Sequence, residues 1–153
     1  MYLDPQRCTN RKAVVIGSGF TGLEAAELLA EKGNDVRIFE LDDEIGKRIS
    51  ADGSVKNKAA LLEYLEELNV KMHPSMNTVE ITDTQIKAIN LVTNETEVYE
   101  ADLIVQALGY RPDNHLSEVF KDTAEKVISI GDCTSIGNII GATAEAYEAV
   151  WNL

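Results

Sequence analysis

Three glycines and one glutamate have the types and spacing of residues that bind two linked phosphates and a ribose. Gly17, Gly19 and Gly22 follow an apolar stretch, and Glu40 closes a second apolar stretch further along the chain. In such an arrangement Gly17 allows a sharp turn, Gly19 lets the backbone approach a diphosphate, and Gly22 lets the next helix pack closely. The carboxylate of Glu40 can accept hydrogen bonds from the ribose. We therefore predict that these residues bind a dinucleotide.

The segments on either side of the glycines predict the elements that position them. Val14–Ile16 is a β-branched run that favours a buried strand, and Val36–Phe39 favours a second one. Between them, small and apolar residues recur at the spacing of one helical face, and glutamates occupy the opposite face. The N-terminus of that helix offers free N–H groups and a positive dipole end to phosphates. Residues 13–40 are therefore predicted as a Rossmann-type βαβ unit, with a helix cap at Gly33.

The middle of the chain predicts a further helix and then a change of pattern. A loop at 41–57 leads to a helix at Lys58–Leu68, which ends in a left-handed cap at Asn69 and precedes a short strand at Val70–Met72. Short, partly alternating segments separated by polar turns then predict an antiparallel meander. Its strands are expected at Val79–Ile81, Gln85–Asn90 and Glu97–Tyr99.

The last third of the chain is expected to return to the parallel sheet. Leu103–Leu108 is apolar enough for a buried parallel strand, and Gly109–Asp122 forms a long connection. A last strand at Val127–Ile130 and a helix at Ile140–Trp151 follow. The predicted fold class is α/β: a Rossmann-like three-layer arrangement with a central parallel sheet, helices on both faces and a small antiparallel β-meander.

Composition narrows the partners and the chemistry. The chain has 153 residues and a formal net charge of −12, which argues against nucleic acid and anionic membrane surfaces as partners. No apolar run is long enough to span a membrane and the N-terminus lacks a signal-peptide pattern, so we expect a cytoplasmic protein. The two cysteines form no C-x-x-C pair, and no metal site is predicted. No catalytic acid, base or nucleophile is predicted either.

Four motifs recur in a characteristic order: residues 17–25, Phe39–Glu40, residues 101–114 and residues 130–133. Together they resemble the pyridine-nucleotide domain of flavoproteins that bind two dinucleotides. Within that group the resemblance is closest to the C-terminal region of enoate reductases and 2,4-dienoyl-CoA reductases, and it begins at Arg11. It implies a domain that binds NAD(H) and passes hydride to a flavin, with FAD in the intact enzyme.

The resemblance also implies roles for individual residues. Glu40 would bind the adenosine ribose, and Glu24 would lie near the nicotinamide end. Gly109 would let a turn approach the dinucleotide, and Asp132 matches the aspartate that hydrogen-bonds the ribityl chain of FAD. Two alternatives stay open, a solvated helix face for Glu24 and a turn cap near Thr134 for Asp132. The loop that would bind the NAD diphosphate comprises Gly17, Ser18, Gly19, Phe20, Thr21 and Gly22.

The chain departs from that group in having one glycine fingerprint, where an intact member has one for FAD and one for NAD(P)H. We interpret residues 1–12 as a lead-in and 13–153 as a single dinucleotide-binding domain. Within it, 13–108 resembles the NAD domain and 109–153 resembles the returning part of an FAD domain. The expected partners are the dinucleotide and either the remainder of a flavoprotein or a flavin-bearing partner.

Glu40 also indicates which nucleotide binds. A carboxylate beside the ribose accepts a hydrogen bond from the 2′-hydroxyl of NADH and repels the 2′-phosphate of NADPH. The acidic run at 42–44 is expected to add to that repulsion, and the nearest cations, Arg37 and Lys47, do not directly follow the second strand. Replacing Glu40 with arginine is expected to weaken NADH binding and to favour NADPH.

Two other functions remain open from the sequence. The chain could be a compact FAD-binding module that uses the glycine loop for the FAD diphosphate and Asp132 for the ribityl chain. It could also be a non-catalytic domain that senses nucleotides. A yellow protein would favour the first alternative, and NADH binding without hydride transfer to added flavin would favour the second.

Overall fold

The structure, a computed structural model, describes residues 8–49 and 55–152. The chain divides into two compact units, of which the N-terminal unit ends at Gly109 and the C-terminal unit begins at Tyr110. None of the described helices combines the length and apolar character needed to cross a membrane.

The N-terminal unit contains a parallel sheet, an antiparallel sheet and two helices. The helices are α1 (Phe20–Glu31) and α2 (Val55–Glu67). The strands are β1 (Lys12–Ile16), β2 (Asp35–Phe39), β3 (Lys71–His73), β4 (Met76–Ile81), β5 (Gln85–Asn90), β6 (Thr96–Glu100) and β7 (Leu103–Gln106). The parallel strands lie in the order β3-β2-β1-β7, and the antiparallel strands in the order β4-β5-β6.

The parallel sheet is covered on both faces because its strands are apolar on both sides. Successive side chains of a strand point to opposite faces, so Val15 of β1 packs against α1 and α2, whereas Val14 packs against the meander. On the helical face Leu23 and Leu65 are fully buried. On the other face the antiparallel sheet contributes Ile86. The α/β Rossmann-like class is thereby confirmed, and the meander covers the face opposite α1 and α2.

The helices, strands and helix caps predicted in this unit are confirmed, with small shifts of their boundaries. Gly33 and Asn69 adopt left-handed conformations at φ 78° and 59°, as expected for helix caps. The helix predicted from Lys58 begins at Val55. Residues 50–54 of the predicted 41–57 loop, and most of the predicted lead-in, lie outside the described residues. The predicted strand Leu103–Leu108 ends at Gln106; it lies at an edge of the sheet and is half-buried rather than buried.

The C-terminal unit differs more from its prediction. It contains α3 (His115–Phe120), a 3₁₀ turn at Gly131–Cys133 and α4 (Ile139–Trp151). The predicted connection Gly109–Asp122 therefore includes a short helix. The strand predicted at Val127–Ile130 is wrong for the described chain, because a strand requires a hydrogen-bonded neighbour and no described strand pairs with this segment.

Three aromatic rings join the meander to the parallel sheet. The rings of Phe39 and His73 lie 5.5 Å apart, and those of Phe39 and Tyr99 lie 4.8 Å apart, both edge to face. His73 Nε2 is buried and has no hydrogen-bond partner among the described residues. Burial, together with the positive charge of Arg37, lowers the pKa of His73. Burial and a hydrogen bond to Glu97 raise the pKa of Tyr99 to about 12.

This cluster predicts a loss of stability in mild acid. Because the pKa of His73 is lower in the folded than in the unfolded chain, the unfolded chain binds the proton more readily below pH 6.5. The free energy of unfolding should therefore fall as pH drops from 6.5 to about 5. His73→Phe keeps the ring packing and should make this fall smaller, as measured by urea unfolding at each pH. Equal pH dependence in both proteins would contradict this prediction.

Candidate nucleotide-binding site

A cavity of about 440 Å³ opens at the carboxyl ends of the parallel strands. The turn after β1 forms one wall through residues 17–19, and Glu40 and Leu41 follow β2. Residues 106–109, at and after the end of β7, form another wall. In open α/β sheets ligands bind at this end of the strands, and the volume falls within the range of about 300–1,000 Å³ typical of ligand pockets.

Two of the motif glycines are required by the fold itself. Gly17 has φ +99°, and a Cβ on it would lie 2.4 Å from the carbonyl oxygen of Ala107. A Cβ on Gly22 would lie 2.1 Å from the carbonyl oxygen of Gly17. The turn therefore passes between the end of β7 and the first turn of α1 with no room for a side chain.

Gly19 differs from its two neighbours in the motif. Its φ of −65° and ψ of 173° are extended backbone that any residue adopts. A Cβ on it would have nothing within 4 Å apart from its chain neighbours. Gly19 is also the N-cap of α1, where no side chain accepts a hydrogen bond from the first N–H groups of the helix. Nothing in the described chain therefore explains why this position is glycine.

Glu40 is fixed to the turn by its carboxylate. Ser18 donates to Oε2 from its backbone nitrogen at 2.8 Å and from its Oγ at 2.6 Å, and the Asp42 nitrogen donates to Oε1 at 2.9 Å. Ser18 is 2% exposed, and its Oγ also accepts a hydrogen bond from the nitrogen of Gly46 at 2.7 Å. The turn after β1, the end of β2 and the following loop are thus held as one network.

The acidic run after Glu40 is neutralised by cations. Lys47 pairs with Asp43, and Lys58 pairs with Glu44. Arg48 binds the Asp42 carboxylate with both Nε and Nη2, at 2.6 and 3.1 Å. These pairs weaken the contribution that the run at 42–44 is expected to make to the repulsion of a second phosphate, because each negative charge has an adjacent positive one.

The other predicted site residues are divided between the cavity and the rest of the chain. Gly109, at φ +80°, lines the cavity. Glu24 is exposed on α1 and does not line it. Asp132 lies in the C-terminal unit, where its Oδ1 accepts a hydrogen bond from the nitrogen of Gly137 at 3.1 Å. Phe20, Thr21 and Gly22 occupy the first turn of α1 outside the cavity lining.

Sequence reasoning missed two parts of the cavity wall. Arg48 lines the cavity although it lies in a loop without periodicity. Strand β4 contributes a further wall, in which Met76 and Ile81 are apolar and Asn77 and Thr78 are polar. Only the meander's return across the sheet brings β4 there, and no local motif signals that return.

Comparisons with known proteins identify a family to which the chain is similar. Residues 3–128 match the model of the family described as pyridine nucleotide-disulphide oxidoreductase. Bilirubin reductase of Mediterraneibacter gnavus is 31% identical over 96% of this chain and 22% of its own length. NADH oxidase of Thermoanaerobacter brockii is 27% identical over 94% of this chain and 22% of its own.

A solved structure agrees as well. The structure of 2-naphthoyl-CoA reductase in complex with 2-naphthoyl-CoA matches with a TM-score of 0.75 and 27% identity, over 90% of this chain and 20% of that one. The chain spans about a fifth of the length of these three proteins. Because the family match extends over most of the sequence, this chain belongs to the pyridine nucleotide-disulphide oxidoreductase family.

Proposed function

We propose that this chain binds NAD(H) in the cavity beside Gly19 and Glu40 and positions it to pass hydride to a flavin held by another part of the enzyme. Membership of the family implies the use of NAD(H) and FAD. The observation that carries the proposal is Gly19, the one motif glycine whose missing side chain faces open space. A diphosphate resting against the turn would occupy that space, which explains the glycine.

The described residues around Gly19 fit a diphosphate. Because α1 has no side-chain cap at its N-terminus, the first N–H groups of the helix are available to phosphate oxygens. No acidic residue lies in the first turn to repel them. The overall charge of −12 does not oppose this, because the contacts act over a few ångströms and salt screens distant charges.

Glu40 retains capacity for a ribose. A carboxylate offers about four acceptor positions, and Ser18 and the Asp42 nitrogen occupy three. The remaining one would accept a 2′- or 3′-hydroxyl, whereas a 2′-phosphate would meet the negative charge. Glu40→Arg would remove all three of these hydrogen bonds and so disturb the turn itself. The role of Glu40 in the preference for NADH over NADPH is therefore better tested by Glu40→Gln.

The chain's own contribution to the chemistry is binding and orientation. NADH, when bound, supplies a hydride for transfer to a flavin. The turn at 17–19 would hold the diphosphate, and Glu40 would fix the adenosine ribose. Gly109 would let the chain after β7 approach the dinucleotide closely. We retain Glu24 as a candidate near the nicotinamide end. No residue of this chain is assigned as an acid or base.

The exposed apolar residues of the C-terminal unit support the proposal that another part of the enzyme holds the flavin. Among the described residues of that unit no large apolar side chain is buried, and Ile139 and Trp151 are 83% and 75% exposed. We propose that residues 109–153 complete the FAD-binding part of a larger enzyme, where Asp132 would reach the ribityl chain. The enoate and dienoyl-CoA reductases remain the group proposed from the motifs, and the reductases among the relatives support it.

Side-by-side titration of the purified chain with NADH, NADPH and FAD tests the proposed function. We expect a colourless protein that changes the fluorescence of NADH on binding and binds NADH at least about fivefold more tightly than NADPH, because of Glu40. A yellow protein that retains FAD stoichiometrically would favour the compact flavin module instead. Failure to bind either pyridine nucleotide would overturn the proposal.

A further inference from the structure

Arg48 is the cationic residue among the described residues that line the cavity, and its guanidinium binds Asp42, which follows Glu40 and Leu41 in the chain. The side chain of Arg48 is 76% exposed, so packing against other residues does not fix its position. What fixes the guanidinium is the carboxylate of Asp42, which it meets with two hydrogen bonds, Nε to Oδ2 at 2.6 Å and Nη2 to Oδ1 at 3.1 Å. Such two-point contacts are the geometry in which arginine binds planar anions most specifically.

Asp42 is the anchored member of this pair. Its side chain is only 19% exposed. Its backbone nitrogen donates to Glu40 Oε1 at 2.9 Å, and its carbonyl oxygen accepts from the nitrogen of Ser75 at 2.8 Å. The position of its carboxylate is therefore set by the same network that sets Glu40, whereas the long side chain of Arg48 adapts to it.

The pairing bears on which nucleotide the cavity accepts. NADPH differs from NADH by a phosphate on the adenosine ribose, and a free guanidinium is a strong partner for phosphate. Here the Nε and Nη2 of Arg48 already donate to a carboxylate, whose negative charge offsets that of the guanidinium, so Arg48 attracts a phosphate less strongly than an unpaired arginine would. The acids and bases at 43, 44, 47 and 58 form pairs of their own, so they do not compete for Arg48.

We propose that Asp42 determines nucleotide specificity by pairing with the guanidinium of Arg48, so that a 2′-phosphate in the cavity meets the charge of Glu40 without an unpaired cation to compensate it. This inference rests on the proposed function, because it concerns the ribose end of the same cavity. It assigns the preference for NADH to two residues: Glu40, which repels the phosphate, and Asp42, which occupies the arginine that would attract it.

The test uses the full 153-residue chain and the variant Asp42→Asn, which removes the charge and keeps the shape. The ratio of the NADPH Kd to the NADH Kd is expected to fall about fivefold, the scale of one exposed ion pair. The fall should shrink as salt is raised, because exposed charges are screened. The double variant Asp42→Asn/Arg48→Gln should lack the fall, because no guanidinium is then released.

Asp43→Asn is the matched control. It breaks the neighbouring ion pair to Lys47, which does not line the cavity, and should leave the ratio unchanged. Circular dichroism confirms that each variant is folded. If NADH still binds but Asp42→Asn leaves the ratio within about twofold of the parent, or if the double variant shows the same fall, the inference is wrong. Absence of NADH and NADPH binding by the parent would instead refute the proposed function.

Discussion

Replacing Gly22 with alanine is expected to lower the free energy of unfolding by about 3 kcal/mol, at the upper end of the cost of overpacking. The added methyl group would lie 2.1 Å from the carbonyl oxygen of Gly17 and 3.3 Å from the Cβ of Ala107. The first contact is with backbone, so relief requires α1 to move away from the turn. Urea unfolding followed by far-ultraviolet circular dichroism measures the difference.

Gly19→Ala is the matched control, because it makes the same chemical change three residues earlier in the same motif. Its methyl group would enter open space, and only the modest difference between glycine and alanine as N-caps remains. That difference should stay below about 1 kcal/mol. Equal losses in both variants would show that the close contact at Gly22 does not govern the packing of α1.

Replacing Gly19 with serine is expected to weaken NADH binding at least about tenfold while leaving the protein as stable or slightly more stable. Serine is a favourable N-cap, and its Oγ would accept a hydrogen bond from an N–H group in the first turn of α1. That N–H would then be lost to the phosphate, and the side chain would occupy the space that the diphosphate needs. Fluorescence titration with NADH measures the loss of binding.

The same variant supplies its own control through its stability. If Gly19→Ser is as stable as the parent and binds NADH more weakly, the serine acts at the ligand. If the variant is less stable, the loss of binding could follow indirectly from the damaged fold. NADH binding that is unchanged in a stable Gly19→Ser protein would show that the diphosphate lies elsewhere, and the proposed function would then lose its main support.

The first βαβ unit could be predicted closely because its signals are local. The spacing of Gly17 and Gly22 and the apolar runs around them depend on residues within a few turns of the chain. The left-handed cap at Asn69 is likewise a property of one residue and its neighbours. The strands predicted at Val14–Ile16 and Val36–Phe39 are likewise confirmed, as β1 and β2 of the parallel sheet, because β-branched apolar runs favour buried strands.

The parts that could not be predicted depend on partners distant in sequence. Val127–Ile130 has the composition of a strand, but composition does not supply a neighbour to pair with. The ion pair of Asp42 with Arg48 depends on the path of an irregular loop, and charge counting treated the acids as free. The wall that β4 adds to the cavity depends on the meander folding back across the sheet.

The pairing of β1 with β7 has a consequence for how the protein is made. The nitrogen of Lys12 donates to Asp102 Oδ2 across 90 residues, and the nitrogen of Ala107 donates to the oxygen of Ile16. A ribosome therefore synthesises the glycine turn long before the strand that closes over it. Until Ala107 has left the exit tunnel the nascent chain lacks one wall of the cavity, so the cavity forms only after β7 has been synthesised.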